Sequence, residues 1–408
     1  MAKAKGVSII AATLSGNQGA AAMLITTLSE LESINPDLKI YIFSYYPEAD
    51  KRLLNRSNAK VVSAKPLYLA LWLLPLSLVH RIAPLLRSLI RRSSGISALE
   101  NSDLMLDLAG VSFVDGREKF LLYNLATLLP AWFMRVRIVK LSQALGPFKS
   151  GLNRKVAKWF LPKLDKVFAR GKETRAALDK NGLTNVESAS DVAFLYHPDQ
   201  QGRKDADSIL KSNGLKKRQY IVVAPSSVLY KKSQKKDIDY VAAMAAYVDW
   251  LIEEHSQPVV LIPHSLREDE SQLHNNDVPV CKEIFSQVKL KEKCVLLDQK
   301  HYINTIKPLI ADSKLVITGR FHGMIGALSA GRSVVVTGWS HKYQEVLDSL
   351  GVQVPAVYLD NNFLDNLKSA TAEASTTIAK TEKSIAEKLP AIVRNSKKQF
   401  EYVETLLR

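Results

Sequence analysis

An arginine and a histidine stand two positions apart, at Arg320 and His322, between an apolar run and a segment of small residues. The pattern predicts a strand over 315–318, a helix over 323–330 and a second strand over 333–337, which together form a βαβ unit. Such a turn lies at the carboxyl end of a strand and the amino end of a helix, where ligands of open α/β sheets bind and anions are attracted. A cation beside an imidazole there indicates chemistry on a phosphorylated or carboxylated substrate, although ordinary surface turns also hold such pairs.

Three other segments place glycine or polar side chains after predicted strands. The turn after the strand at 7–12 is rich in glycine, so its backbone amides can approach a ligand closely. A second loop follows the strand at 137–141, and a histidine follows the strand at 259–262. We therefore assign cleft-loop positions, where a ligand could be contacted, to Gly16, Asn17, Gly19, Gln143, Gly146 and His264.

Five short motifs occur in a fixed order along the chain. They are SGNQG at 15–19, QALGP at 143–147, ARGKET at 169–174, SDVAF at 190–194, and GRFHG at 319–323 followed by ALSAGRSVVV and SHKY. This ordered set resembles the polysaccharide pyruvyl transferases between residues 15 and 345. The chain departs from the family pattern at 20–22, where alanines replace acidic residues, and at Gly171, where an aspartate is typical.

The resemblance implies transfer of the carboxyvinyl group of phosphoenolpyruvate onto two hydroxyls of one sugar, which forms a pyruvate ketal. It implies that His322 acts as a general acid or base, and that arginines hold the carboxylate and phosphate of the donor through bidentate bonds. The donor-binding residues are then Arg320, Arg170, Phe321, Gly323 and Lys342, and the cleft loops named above are the candidates for contact with the acceptor. Phosphoenolpyruvate is a co-substrate, and neither a cofactor nor a metal ion is expected.

Alternation of apolar strands with helical segments predicts an α/β protein with parallel, doubly wound sheets. We expect two Rossmann-like domains that face a cleft, and the resemblance implies the same GT-B-like arrangement. The predicted parts are a first domain over 1–195, a polar linker over 196–217, a donor-binding domain over 218–363 and C-terminal helices over 364–408.

The positive charge of the chain is concentrated in its first half. The 408 residues carry a net charge of +16, and residues 1–195 alone hold 27 Lys or Arg and 15 Asp or Glu. Residues 51–99 contain nine Lys or Arg and no acidic residue, around an apolar stretch with Trp72 that prolines interrupt. This composition predicts an arm that docks on an anionic membrane surface without spanning it, or else a buried helix pair. The sequence contains no motif of the kinds that bind in the grooves of DNA or RNA, so we do not expect a nucleic-acid partner.

The two cysteines, Cys281 and Cys294, favour a reducing compartment over a disulfide framework. The predicted location is the cytoplasm, peripherally attached to the inner face of the cell membrane, where a lipid-linked sugar acceptor would be met. Two other functions stay open: a GT-B glycosyltransferase that uses a nucleotide sugar, and a non-catalytic scaffold of a polysaccharide-assembly complex. The sequence names neither the acceptor sugar and its two hydroxyls nor the oligomeric state.

Overall fold

The computed structural model describes residues 6–267, 275–338 and 342–408. The chain divides into two compact units. The first unit comprises Met1–Leu14, Met23–Val192 and Val393–Arg408, and the second comprises Ser15–Ala22 and Ala193–Ile392. The glycine-rich turn at 15–19 therefore belongs to the second unit, although it follows the first strand of the chain.

The first unit is built on an eight-stranded sheet in which every pairing is parallel. Its strands are β1 (Gly6–Ile10), β2 (Lys39–Ser44), β3 (Ala59–Ser63), β4 (Leu104–Asp107), β5 (Val111–Val114), β6 (Arg137–Gly146), β7 (Lys166–Arg170) and β8 (Val186–Ala189). The order across the sheet is β3-β2-β1-β4-β6-β7-β8, with β5 paired to β6. The chain thus changes direction across the sheet between β1 and β4.

Helices cover this sheet and connect its strands. They are α1 (Gln18–Ile34), α2 (Pro47–Leu53), α3 (Pro66–Tyr68), α4 (Leu74–Ile82), α5 (Arg87–Ile90), α6 (Ser94–Glu100), α7 (Leu121–Ala126), α8 (Leu129–Phe133), α9 (Gly151–Phe160) and α10 (Lys172–Lys180). A π-helical stretch, Leu69–Leu73, joins α3 to α4.

The second unit holds a six-stranded parallel sheet of order β11-β10-β9-β12-β13-β14. Its strands are β9 (Ile221–Ala224), β10 (Val259–Leu261), β11 (Cys294–Leu296), β12 (Leu315–Thr318), β13 (Val334–Gly338) and β14 (Val357–Tyr358). Its helices are α11 (Gln200–Ser212), α12 (Ser227–Ser233), α13 (Tyr240–His255), α14 (Val278–Gln287), α15 (Ile303–Ala311), α16 (Phe321–Ser329), α17 (Lys342–Leu350), α18 (Phe363–Thr376) and the first half of α19 (Ile378–Leu407), whose second half belongs to the first unit.

The central strands are apolar along almost their whole length because helices bury both faces of a parallel sheet. In β9, for example, the sequence IVVA is fully buried, and β12 reads LVIT with every residue buried. The order of the second sheet is that of a dinucleotide-binding Rossmann fold, in which the switch point between the first and fourth strands is the usual ligand position. Here those strands are β9 and β12.

Two predicted segments differ from the structure. The polar stretch 196–217 contains α11, whose Asp199 side chain caps the first turn by accepting from the Gly202 amide over 2.8 Å, so it is part of the second unit. The expected loop at Gln143 and Gly146 lies inside β6, which continues to Gly146 because β5 offers its backbone as a partner. The polarity of 196–217 reflects the exposed face of a helix, and the short strand β5 gave no recognisable pattern.

The basic arm of residues 51–99 has an inner and an outer face. Leu69, Leu73 and Ile90 are buried in the core of the first unit. On the outer face, apolar side chains meet solvent along α3, α4 and α5, and Leu85 is 95% exposed. These outward side chains are Leu67, Leu71, Trp72, Leu78, Ile82, Leu85, Leu86 and Leu89. Across the described ranges, no helix has the length and apolar character that crossing a bilayer requires.

Candidate functional site

The turn that carries Arg320 and His322 lies at the switch point of the second sheet. It follows β12, which pairs with β9 from Leu315↔Ile221 to Thr318↔Ala224. Arg320 is the N-cap of α16, with an extended backbone, and His322 is the second residue of that helix. Parallel strands end at the same edge, so the residues after β9 reach this turn as well. The sequence-based placement of the turn between strand and helix is correct.

The Arg320 side chain is buried and surrounded by acceptors. Its Nε donates to Asp277 Oδ2 over 2.9 Å, and its Nη2 donates to Asp277 Oδ1. Nη1 donates to Asn275 Oδ1 over 2.6 Å, and Nη2 also donates to Ser227 Oγ over 2.9 Å. Asp277 is completely buried and also accepts from the Ser227 amide over 2.9 Å. The bidentate pair neutralises the buried carboxylate and joins the ends of β9 and β12 to the start of α14.

His322 packs directly on the backbone of the glycine turn. A Cβ atom built on Gly19 would overlap Cγ and Nδ1 of the His322 ring. Only glycine lets the first turn of α1 approach the imidazole this closely. The ring is half-buried, and Phe321 stands edge-on to it with the ring centroids 5.4 Å apart.

The turn itself is held by short-range and long-range hydrogen bonds. Asn17 Oδ1 accepts from the Gly19 amide over 2.9 Å and from the Ala20 amide over 3.3 Å, which caps the start of α1. The Leu266 amide donates to the Gly16 oxygen over 2.9 Å, and Asn17 forms an antiparallel bridge with Ser265. Gly16, Asn17 and Gly19, three of the predicted cleft-loop residues, therefore lie beside the residues that follow β10, where His264 is also found.

His264 is buried beside the turn. The amide of Gln18 donates to the His264 carbonyl oxygen over 3.3 Å. Burial, with added repulsion from the His322 and Arg320 positive charges, lowers the pKa of His264 to about 3. Its imidazole is consequently neutral at any pH near neutrality, and it contributes hydrogen-bonding atoms to the site without positive charge.

Three further residues predicted to bind the donor, Phe321, Gly323 and Lys342, lie on α16 and α17. Gly323 is in the first turn of α16, where an added Cβ would overlap Thr318 Oγ1, so its small size permits the close approach of helix and strand. Phe321 also contacts Tyr343 edge-on, with centroids 5.5 Å apart. Lys342 is the first residue of α17 and is partly buried.

Arg170, Gln143 and Gly146 belong to the first unit. Arg170 ends β7, where its Nη1 pairs with buried Asp191 and its Nη2 donates to the Gly110 oxygen over 2.8 Å. Gln143 is fully buried: it accepts from Ser112 Oγ over 2.6 Å and donates to the Asp107 oxygen over 2.9 Å. Gly146 has a φ of 82°, which favours glycine. Gln143 holds strands together through both ends of its amide.

Sequence reasoning missed the partners of these residues. Asn275, Asp277 and Ser227 surround Arg320, yet no spacing in the sequence connects them with it. A second buried pair, Lys140 with Asp107, lies in the first unit. A signal for it was present, because a lysine in the apolar strand RIVKLSQALG is rarely buried without a partner. Within the described residues, no group of three or more His, Cys, Asp or Glu side chains is arranged to hold a metal ion.

The two parallel sheets define an α/β protein of the GT-B-like class, with a cation and an imidazole at the switch point of the second sheet. The family model of the polysaccharide pyruvyl transferases matches residues 17–341, and the chain belongs to this family. No curated protein matches the sequence.

Solved structures share the fold at low sequence identity. The UDP-GlcNAc 2-epimerase of Neisseria meningitidis, bound to UDP-GlcNAc, is 14% identical with a TM-score of 0.60, over 98% of this chain and 99% of that one. A putative UDP-N-acetylglucosamine 2-epimerase of Listeria monocytogenes is 14% identical with a TM-score of 0.59, over 95% and 92%. A glycosyltransferase of Rickettsia africae is 11% identical with a TM-score of 0.59, over 99% and 98%. At these identities the likeness concerns the fold.

Gly19→Ala should displace the His322 ring without unfolding the chain. The added methyl group occupies the position of the imidazole, and the imidazole side chain is the part that can turn away. Gly326→Ala, in the same helix as His322, is the matched control because its Cβ meets only Ile310 Cδ1 at an ordinary 3.6 Å. A crystal structure of each variant measures the displacement, and an unmoved ring in Gly19→Ala contradicts the packing described above.

His264→Gln should reduce the loss of stability on acidification. The folded pKa of His264 is about 3 and the unfolded value is about 6.5, so the unfolded chain binds the extra proton as the pH falls below 6.5. Between pH 7 and pH 5 this group should cost the wild type about 2 kcal/mol of unfolding free energy. Urea unfolding at both pH values measures the difference, and an equal difference in wild type and variant would show that His264 titrates normally in the folded state.

Proposed function

We propose that this protein transfers the carboxyvinyl group of phosphoenolpyruvate onto two hydroxyls of one sugar in a cell-surface polysaccharide or its lipid-linked precursor. The observation that carries the proposal is the Arg320–His322 turn at the switch point of the second sheet, in a chain of the polysaccharide pyruvyl transferase family. The turn combines a cation, a helix N-terminus and an imidazole, which are the groups that an anionic donor and a proton transfer require.

The reaction conserves oxidation state and needs two proton movements. A proton adds to the methylene carbon of phosphoenolpyruvate, and the first sugar hydroxyl forms a bond to the adjacent carbon. The bond from that carbon to the phosphate oxygen breaks, and the second hydroxyl closes the ketal. One hydroxyl proton replaces the one given to the methyl group, and the other leaves with phosphate. His322 exchanges protons at one end of this sequence, as a general acid at carbon or a general base at a hydroxyl.

Arg320 would bind the donor by exchanging a neutral acceptor for an anion. Its bonds to Asp277 are charge-assisted, whereas its 2.6 Å bond to Asn275 Oδ1 is to a neutral amide. A donor carboxylate or phosphate is a stronger acceptor than the amide and would take its place on Nη1. Asp277 meanwhile keeps the guanidinium plane oriented. The first amides of α16 add further donors, and Lys342 is proposed to add positive charge; the donor role of Arg170 stays a prediction.

Phosphate release from phosphoenolpyruvate should depend on His322. We expect release by the wild type in the presence of a membrane extract of lipid-linked glycans, and a loss of about 10²–10⁴-fold in His322→Ala, the usual contribution of a general acid or base. His255→Asn, a histidine at the end of α13 in the same unit, should keep the wild-type rate. Colorimetric phosphate detection measures all three, with circular dichroism to verify folding.

The same assay separates the competing functions. A wild type that releases no phosphate and shows no saturation-transfer signal from phosphoenolpyruvate would contradict the proposal. Signals from a nucleotide sugar would then favour a glycosyltransferase, and silence with both donors would favour a non-catalytic scaffold. Equal rates of phosphate release for wild type and His322→Ala would support phosphoenolpyruvate as the donor but show that His322 is not the general acid or base.

Docking of the basic arm on the inner face of the cell membrane forms part of the proposal. The outward apolar side chains of α3, α4 and α5 are accompanied by Lys65, Arg81 and Arg92, which are exposed. The absence of acidic residues from 51–99 makes this surface complementary to anionic headgroups. Apolar side chains would enter the headgroup boundary while the guanidinium groups meet phosphate, as in other interfacial helices. A lipid-linked acceptor would be presented at that surface.

Leu85→Ser/Leu89→Ser should weaken binding to vesicles that contain phosphatidylglycerol by tenfold or more, about 1.4 kcal/mol. Both leucines are exposed, so the substitutions leave the core intact, whereas a deletion over 67–78 would also remove the buried Leu69 and Leu73. Tyr358→Ser, an exposed aromatic residue of the second unit, is the control. Co-sedimentation measures binding. Wild-type affinity in the double variant, or equal binding to pure phosphatidylcholine, would exclude this docking surface.

A further inference from the structure

The first unit contains a cavity of about 330 Å³ at its own switch point. The residues that follow β1, Ala11 to Thr13, form one side, and the residues that follow β4, from Ala109 onward, form another. Because β1 and β4 are adjacent parallel strands at which the chain reverses its direction across the sheet, this is the position where open α/β sheets bind ligands. None of the residues assigned from the sequence lines this cavity.

Aromatic side chains form much of the cavity wall. Phe43, Tyr45, Phe113, Phe120 and Tyr123 line it, and Tyr45 and Phe120 are more than two-fifths exposed. Burial, with the nearby Tyr45, Asp107 and Tyr46, raises the pKa of Tyr123 to about 12, so its phenol keeps its proton at neutral pH. Aromatic faces with a polar tip suit a ligand that has both apolar C–H surface and hydroxyl groups.

The floor of the cavity is the buried pair of Lys140 and Asp107. Asp107 Oδ1 accepts from the Ala109 amide over 2.8 Å and Oδ2 accepts from Lys140 Nζ. The Lys140 ammonium also lies 5.3 Å from the centroid of the Phe113 ring. The Lys140 side chain is completely buried and that of Asp107 is 2% exposed, so the pair fixes the shape of the cavity floor while its own polar groups satisfy each other.

Two residues that line the cavity have a left-handed backbone conformation. Ala11 and Phe113, both lining the cavity, have φ values of 66° and 48°. Residues other than glycine seldom adopt this left-handed region, and such positions cluster at ligand sites. Arg117 and Asn124 add polar groups at the wall.

We propose that this cavity binds the acceptor sugar, with Arg117 and Asn124 hydrogen-bonding its hydroxyls and the aromatic side chains packing on its ring. The inference rests on the proposed function for the identity of the ligand class. The volume lies at the lower end of the roughly 300–1,000 Å³ typical of small-molecule sites, which suits one sugar ring better than a whole nucleotide sugar. Arg117 and Asn124 are binding residues here, and the chemistry at the donor stays with the second unit.

Saccharide binding is tested without phosphoenolpyruvate. The probe is the water-soluble glycan pool released by mild acid from the lipid extract of the cells that produce this chain. Saturation-transfer NMR with the full-length wild type should show signals from sugar ring protons, and Arg117→Ala/Phe120→Ala should weaken binding by about tenfold. Both side chains are exposed, so the double variant should fold. Arg154→Ala/Trp159→Ala likewise removes an arginine and an aromatic side chain, from the exposed face of α9, and should bind as the wild type does.

Each outcome decides between the two proposals. Binding that is lost only in the cavity variant supports the acceptor site, even where phosphoenolpyruvate releases no phosphate and the proposed donor fails. Absence of saccharide signals from the wild type, or equal signals from the wild type and the cavity variant, overturns the site and leaves the donor proposal to its own assay. Kinetics provide a second readout: the cavity variant should raise the half-saturating glycan concentration about tenfold and leave that for phosphoenolpyruvate unchanged.

Discussion

The buried pair of Arg320 and Asp277 is the interaction on which the functional turn depends. A buried carboxylate or guanidinium without a partner is costly, and breaking such a pair typically costs about 3–5 kcal/mol. The pair therefore fixes where the end of β12 lies relative to the start of α14, and Ser227 extends the connection to β9. Because His322 lies two residues after Arg320, the pair also fixes the position of His322, and Gly19 packs against the imidazole ring. A network that positions the imidazole can also present one guanidinium nitrogen to a donor anion.

The two sheets follow the same physical rule with different results. Parallel strands end at one edge, and a reversal of chain direction leaves an opening between the two central strands. In the second unit that position holds a cation and two imidazoles. They are Arg320 and His322 of the turn at 319–323, and His264 beside the turn at 15–19. In the first unit the same position holds an aromatic cavity above a buried ion pair. The turn, which carries a charge and titratable groups, suits an anionic donor, and the aromatic cavity suits a sugar. The two proposals therefore assign one substrate to each unit.

Membership of the polysaccharide pyruvyl transferase family and likeness to sugar-nucleotide enzymes are different kinds of observation. The family model matches residues 17–341, a range that includes the Arg320–His322 turn, whereas the solved structures share 11–14% identity and the arrangement of strands and helices. One fold supports many reactions, and the side chains at the strand ends decide among them. The side chains of the turn therefore support the proposed phosphoenolpyruvate-dependent reaction, whereas the likeness to sugar-nucleotide enzymes concerns the fold alone.

The sequence by itself determined the α/β class, the alternation of strands with helices and the turn at 319–323, because strand burial and glycine-rich turns leave local patterns. It also marked the arm at 51–99 through its composition, but only the structure showed that Leu69 and Leu73 face the core while Leu67 and Leu71 face solvent. The partners of the site residues required the tertiary structure. Asp277 reaches Arg320 across 43 positions and Lys140 reaches Asp107 across 33, and neither separation has a periodicity that could reveal it. Strand order brings such residues together, since it decides which ends of parallel strands are neighbours, and that order is a property of the folded chain.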